Sequence, residues 1–292
     1  MLWIPLVLFY GILKGAREIM KKLAMTKNTV MEVLVSYTII SFIFVLPQLP
    51  QSGGLEPRFY FYIAIKSFAI FIAWMCSFRS VKYLPVSLFG ILDLSRVLFS
   101  TFSGVVLLGE TLGFFQGAGL IVVCAGLLLL KFDGRVSSLK NRKETVDVRI
   151  QGFYVALALF SCFLNGISGF MDKVLMKYVT SSQLQFWYMF FLVIYYLIYL
   201  LAVREKLNLS VIKNIWIWVL AFSFVIGDKA LFIANGMSGS RITVMTLIKQ
   251  SGCIVTILGG RFVFKEKNIG YRLFCAAVII LGILFGTFKE FR

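Results

Sequence analysis

The chain has 292 residues, 60% of them apolar and only 15% charged, with a mean hydropathy of +0.89 and a formal net charge of +17. A soluble globular domain is about 45–50% apolar and about a quarter charged, so this composition excludes one: most of these side chains have no water-facing alternative. The positive charge falls largely in short connections between apolar runs, which reads as a topology signal and not as a nucleic-acid surface.

A spanning helix needs about 20 mostly apolar residues. In chain order such windows lie at residues 2–22, 31–48, 59–79, 84–108, 112–131, 151–173, 183–203, 211–235, 241–264 and 269–288. They predict an all-α integral membrane protein with ten transmembrane helices and the lipid bilayer as its solvent. A transmembrane barrel would alternate apolar and polar residues, and runs such as Gly119 to Leu130 do not. Pro5 and Pro85 sit at helix starts, while Pro47, Pro50 and Pro57 lie in or beside one connection, where no interior hydrogen bond is lost. The first window lacks a basic n-region and a small-residue cleavage site, so no cleavable signal peptide is expected. Cys76, Cys124, Cys162, Cys253 and Cys275 are scattered through apolar windows and read as small fillers. The chain has no histidine, which removes most metal-site and imidazole-base chemistry. No metal, cofactor or nucleic-acid partner is expected.

The longest polar connection, Phe132 to Ile150, divides the chain into two halves of five windows each, residues 1–131 and 151–292. An offset of 156 superposes Gly104 on Gly260, Glu110 on Glu266 and Gly126 on Gly282; near the starts an offset of 155 pairs Gly11 with Gly166 and Lys22 with Lys177. An odd number of crossings per repeat makes the second copy enter from the opposite side. Two inverted five-helix repeats are therefore expected, with a substrate site between them near the midplane.

Leu108-Gly109-Glu110 followed by a Gly-rich helix, and Phe264-Lys265-Glu266 with its counterpart, resemble the drug/metabolite transporter superfamily, specifically its EamA-like ten-helix members. The resemblance implies a carrier for small molecules. Members usually look like proteins with cytoplasmic termini. The charge pattern points the other way, because Lys21, Lys22, Lys27, Arg79, Lys82, Arg135, Lys140, Arg142, Lys143 and Arg149 all fall on one side of a ten-span chain. The positive-inside rule places that side, and the central loop, in the cytoplasm.

Ionised groups at bilayer depth cost about 2.5–3.5 kcal/mol each on insertion scales and normally face a cavity or a partner. Those found here are Lys14, Arg17 and Glu18 in the first window, Lys66 in the third, Asp93 and Arg96 in the fourth, Asp172 and Lys173 in the sixth, Asp228 and Lys229 in the eighth, and Lys249 in the ninth. Asp93, Arg96, Ser100 and Ser103 form one polar stripe at helical spacing. Thr246, Lys249, Cys253, Thr256 and Gly260 form a second, aligned with the first by the 156 offset. Two readings stand: a substrate cavity between the stripes, or structural pairing of Asp93 with Arg96 and of Lys249 with Asp93 or Asp228. Arg17, Lys66 and Lys173 lie nearer window ends and are expected to snorkel.

The plastidic triose-phosphate translocators, a distant branch of the superfamily, grip substrate phosphate with a Lys-Arg pair in the ninth helix. The matching position here is Lys249-Gln250, and where they carry a lysine in the fourth helix this chain has Asp93. The resemblance implies a substrate role for Lys249 and Gln250, and the departures argue against a phosphate sugar. Small multidrug pumps, similar to one half, carry a proton-coupling glutamate where this chain has Lys14, which argues against proton-coupled export of cations. Trp74, Tyr188, Tyr195 and Tyr196 are either cavity lining or packing, and Trp3, Trp216 and Trp218 read as interfacial anchors. Gly113-x-x-x-Gly117 and Gly282-x-x-x-Gly286 permit close helix contact, either in a homodimer or within the monomer.

The function expected is a secondary transporter for a small polar or charged organic metabolite, anions among the candidates, working by alternating access in a bacterial plasma membrane. Its candidate substrate contacts are Lys14, Trp74, Asp93, Arg96, Asp228, Lys229, Lys249 and Gln250. The alternatives are a lipid-headgroup flippase on the same fold and a membrane-embedded enzyme, which without His or clustered Cys would have only carboxylates to work with. The orientation has a direct test. A cysteine at Ser138, in a chain stripped of its native cysteines, should stay unlabelled by an impermeant thiol reagent applied to intact cells; ready labelling would reverse the topology.

Overall fold

A computed structural model describes residues 3–99, 114–129, 148–204, 207–237, 245, 248–266 and 269–287. The described helices are α1 (Trp3–Ala24), α2 (Val30–Val45), α3 (Pro57–Tyr83), α4 (Val86–Leu92), α5 (Phe114–Leu129), α6 (Val148–Leu175), α7 (Ser181–Val203), α8 (Ile215–Gly236), α9 (Ser251–Phe262) and α10 (Ile269–Thr287). Five helical segments, Val30–Gln51, Pro57–Tyr83, Ile150–Leu175, Ser181–Val203 and Ile215–Gly236, are long and apolar enough to cross a membrane. Ser100, Ser103, Glu110, Gly113, Thr246 and the basic loop with Ser138 lie outside the described residues, so the topology and part of each polar stripe do too.

Local chemistry explains where the helices start. Thr29 caps α2 and Thr180 caps α7 in the same way: the hydroxyl accepts from the backbone N–H of Glu32 or Gln183, whose side chain reaches back to the cap's own N–H. Pro57 opens α3 and Pro85 precedes α4, both tolerated positions for a residue without an N–H. Pro47 and Pro50 fall in a 3-10 extension of α2 (Leu46–Gln51).

The helices pack across the two halves. α1 lies along α8, and α3 along α6; α2 meets α7 and α8; α4 meets α9; α5 meets α10. The ends of α1, α3 and α8 converge on one face. There Lys22 donates to Leu84 O at 2.6 Å, Lys82 to Asn28 O at 3.3 Å, and Asn214 to Ala24 O at 3.1 Å. This face also carries Lys21, Lys22, Arg79 and Lys82, and it is called the basic face below. The opposite ends of α2 and α7 are joined to each other and to the middle of α8 by amides, with Gln48 donating to Gln185 at 2.9 Å and Gln185 to Val225 O at 2.8 Å. Large apolar side chains such as Phe61, Phe153, Leu201 and Phe274 stay more than half exposed around the outside, an arrangement that requires lipid rather than water.

Glycine sets how closely the helices approach. α1 and α9 touch backbone to backbone: a Cβ on Gly15 would meet Gly252 O and lie 2.8 Å from Val255 Cβ, and one on Gly252 would meet Gly11 O and lie 3.0 Å from Gly15 N. At the α5–α10 contact a Cβ on Gly126 would strike Ile279, and one on Gly282 would lie 2.9 Å from Val122 and 3.0 Å from Gly119 O. Gly282 thus packs inside the monomer, whereas Gly117 has no heavy atom within 4 Å among the described residues. Gly15→Ala is therefore expected to destabilise the protein by about 1–3 kcal/mol, the usual cost of overpacking. Gly117→Ala should stay within about 0.5 kcal/mol, as a surface change does. Thermal unfolding of the two variants in detergent compares them; equal midpoints would remove the seam's role.

Candidate functional site

The charged side chains of the interior gather on α1, α3, α4, α6, α8 and α9. Asp93 is the centre of the largest group. Its carboxylate is held by Lys14 of α1 and by Arg96, whose Nε lies 2.6 Å away. The second contact depends on the backbone, because Asp93–Ser95 is a 3-10 turn interrupting the fourth helix and 3-10 geometry sets residues three apart one above the other. Cys162 of α6 is buried against the same place, its Sγ 3.7 Å from Leu92 O and 3.8 Å from Asp93 Oδ1.

Two further ion pairs join the halves. Arg17 Nη1 lies 3.1 Å from Asp228 Oδ1 of α8, and Lys66 Nζ of α3 lies 3.1 Å from Asp172 Oδ1 of α6. Arg17 and Asp172 occupy matching positions under the 155 offset, so each half's first helix reaches the other half's third with opposite charge. Aromatic faces screen both cations. Arg17 stands 5.2 Å from the Tyr10 ring and 5.3 Å from Phe224; Lys66 stands 3.7 Å from Tyr188. Glu18 pairs with Lys21 at 2.7 Å.

Lys249 differs from the rest. It is partly buried, ends a short helical stretch, and is followed by Gln250, whose φ of −74° and ψ of −9° form a turn before α9 begins. It makes no ion pair or hydrogen bond among the described residues, and Asp172 and Asp228 act on it only through space. The 156 offset aligns it with Asp93. The chain thus departs from α-helix at two nearby aligned places, in a 3-10 turn starting at Asp93 and in a turn at Gln250.

The structure brings Lys14, Asp93, Arg96 and Asp228 into the interior as charged partners, and leaves Lys249 and Gln250 at the break beside them. Trp74 is buried in an aromatic wall, its ring 5.3 Å from Tyr37 and 5.1 Å from Phe224. Lys229 turns elsewhere: it donates to Gln48 Oε1 at 2.9 Å and Ser182 Oγ at 2.7 Å, within the amide network of the far face. Tyr195 and Tyr196 donate to Ala64 O and Phe71 O and so tie α7 to α3. Two expectations fail. Arg17 and Lys66 do not snorkel, being 6% and 1% exposed, because each finds a carboxylate closer than the interface. Asp93 does not pair with Lys249, because Lys14 and Arg96 already occupy it. Lys173, also expected at an interface, donates to Asn235 O at 3.0 Å.

Sequence reasoning overlooked Arg272 and the work of Glu266. Arg272 is 1% exposed and lies 3.0 Å from Glu266 Oε2. A cation inside the tenth apolar window was the available signal. Apart from the Arg272–Glu266 pair, which adds no net charge, the described interior residues named above are six bases (Lys14, Arg17, Lys21, Lys66, Arg96, Lys249) and four acids (Glu18, Asp93, Asp172, Asp228). The surplus is two positive charges, one from the two cations sharing Asp93 and one from Lys249.

Residues 1–132 match the EamA-like transporter family. The protein carries an EamA-like unit. The resemblance read from Leu108-Gly109-Glu110 and the following helix is thereby borne out over that stretch, which is similar to a family of membrane transporters. No curated protein matches the sequence. A solved structure described as "Crystal structure of protein" superposes with a TM-score of 0.69 at 12% identity, covering 98% of both chains. That likeness establishes a shared fold over nearly the whole length, beyond the EamA-like unit itself.

The ion-pair geometry predicts opposite effects for two neutral substitutions. Asp93→Asn strands Lys14 and Arg96 and should destabilise by about 3–5 kcal/mol, as loss of one buried partner does. Lys249→Gln removes no ion pair and should leave the unfolding midpoint unchanged or raised. A large drop for Lys249→Gln in a thermal melt would show that a carboxylate is paired with it after all.

Proposed function

We propose that the protein is a secondary transporter for small organic anions, moved by alternating access around the Lys14–Asp93–Arg96–Lys249 cluster. The observation that carries this is the surplus of two positive charges among the described interior residues, with Lys249 having no ion-pair partner among them. A buried cation is costly unless something neutralises it, and an anionic substrate supplies the missing charge when bound. The start of α9 reinforces the site. Gln250 gives it no side-chain cap, so the unsatisfied N–H groups and partial positive charge of a helix N-terminus adjoin Lys249. Broken helices at a repeat interface are the usual place for such a site in secondary transporters.

The same reading takes the chain as ten spans in two inverted repeats, residues 1–131 and 151–292 about a linker at 132–150. Its support is the reciprocal packing of α1 on α8 and α3 on α6, of α5 on α10 through Gly126 and Gly282, and the twin capping boxes of α2 and α7. The departures at Gln250 and Asp93 count against a phosphate sugar, and one spare lysine with a half-neutralised Lys-Arg pair suits a carboxylate or dicarboxylate.

Purified protein in liposomes should take up labelled mono- or dicarboxylates and ignore organic cations. Lys249→Gln should lower uptake about 10-fold or more at unchanged folded content, the worth of one charge-assisted hydrogen bond, and Lys249→Arg should retain part of it. Full uptake by Lys249→Gln would remove the lysine from the site. Translocation of a fluorescent lipid, with no uptake of any soluble anion, would reassign the fold to headgroup flipping.

A further inference from the structure

Three helices hold the charge cluster: α1 with Lys14, the fourth with Asp93 and Arg96, and the ninth with Lys249. The same three helices meet again nearer the basic face. Lys22 lies eight residues beyond Lys14, about 12 Å along the helix; Ser87 lies six residues before Asp93, about 9 Å; and Gly260 lies eleven beyond Lys249, about 16 Å. At this second level one carboxylate joins them. Glu266, in the turn after α9, accepts from Val86 N at 2.7 Å and Ser87 N at 3.2 Å, and also from the Ser87 hydroxyl. It therefore caps the N-terminus of α4, where an anion is favoured. Arg272 of α10 closes the ring, donating to Glu266 Oε2 at 3.0 Å and to the Ser87 hydroxyl. Lys22 adds a bond to Leu84 O at 2.6 Å, one turn earlier in the chain.

Between the two levels the described helices touch closely. Gly15 abuts Gly252, Gly259 abuts Ile19, and a Cβ on Gly90 would lie 2.8 Å from Thr256. The turn that carries Glu266 is itself constrained: Lys265 sits at φ 51°, a left-handed conformation uncommon for a residue with a side chain, and Glu266 N bonds back to Gly260 O at 3.0 Å. The glutamate side chain is 8% exposed and Arg272 1%.

From this arrangement we propose that Glu266 is a latch holding the site shut towards the basic face, and that it must release Val86 and Ser87 of α4 for the site to open there. The proposal rests on the transporter reading, since a gate has meaning only where something passes. The glycine contacts supply the seal, and the carboxylate supplies its lock. Glu266 connects α4 of one half to the α9–α10 turn of the other, so its release frees the inter-half contact without disturbing Lys14, Asp93 or Lys249. Arg272 stays with α10 and holds the carboxylate ready to re-engage.

Water access can be read without any substrate, through Cys162, which is 1% exposed and lies against Asp93. The full chain, with Cys76, Cys124, Cys253 and Cys275 replaced by serine or alanine, is reconstituted into liposomes and sorted by orientation. An impermeant methanethiosulfonate reagent is then applied from one face at a time. Glu266→Gln should raise the labelling rate of Cys162 from the basic face by about tenfold or more, the worth of one charge-assisted hydrogen bond. From the opposite face the rate should not rise. An unchanged rate from the basic face, or an equal rise from both, would overturn the latch, the second outcome meaning a general loosening of the bundle. Should Glu266→Gln fail to fold, Ser87→Ala, which removes one donor, carries the test. A smaller rise confined to the basic face supports the proposal, and no rise rejects it. Because the reagent replaces the substrate, these outcomes stand apart from any failure to find a transported anion.

Discussion

A carboxylate shared by two cations organises this interior. Asp93 holds Lys14 from α1 and Arg96 from its own helix, and in a medium without water each of the three would otherwise cost several kcal/mol. The 3-10 turn at Asp93–Ser95 follows from the same need, since tightening the helix there brings Arg96 over the carboxylate. Once α1 and the fourth helix are tied at that point, α6 is drawn in at Cys162 and α9 packs down the remaining side of α1. The other ion pairs, Arg17 with Asp228 and Lys66 with Asp172, fasten the third helix of each half to the first helix of the other. Charge here arranges helices that apolar burial alone would leave free to rotate, because lipid is as apolar as a leucine side chain.

Packing and charge divide the work along α1. Against α9 its residues are small, Gly11 and Gly15, and at its basic-face end Lys22 bonds to the end of α3. On the side facing α8 it presents Tyr10 and Arg17 to Phe224 and Asp228. One helix therefore serves as a contact strip for one neighbour and an electrostatic strip for another. Its load of charge is why it does not read as a simple lipid-spanning helix despite being 22 residues long.

Much of this was legible in the sequence. Eight of the apolar windows match described helices to within about four residues, because a period set by bilayer thickness is the strongest signal such a chain carries; the windows at 84–108 and 241–264 run partly outside the described residues. The identity of the interior charges was equally plain, since an ionised group in an apolar run has few destinations. Partners were harder. Asp93 had three cations within reach by composition, and choosing Lys14 over Lys249 depends on the side on which α1 packs, which no spacing in the fourth helix encodes. Lys66 and Asp172 are far apart in sequence, and Asp172 looked like an end residue until α6 proved to sit beside α3. Lys229 follows Asp228 directly, yet a step of one residue turns a helical side chain by about 100°, enough to send it to Gln48 instead. Glu266 was noticed as one of a matched pair of acids, but its target, the N-terminus of α4, belongs to the other half of the chain.

The close seam between α1 and α9 is not repeated where the internal alignment would put it. Under the same offsets, Gly15 corresponds to Phe170 and Gly252 to Arg96, so the aligned positions of α6 and the fourth helix carry an aromatic ring and a guanidinium where α1 and α9 have bare backbone. Acting as the inverted repeats proposed above, the two stretches could not exchange places at equal cost. A rocking motion that opened the glycine seam and tried to close its counterpart would meet bulk where it needed space. In the transport cycle proposed above, the two conformations would differ in resting energy before any solute arrives, the one sealed by glycine being the lower.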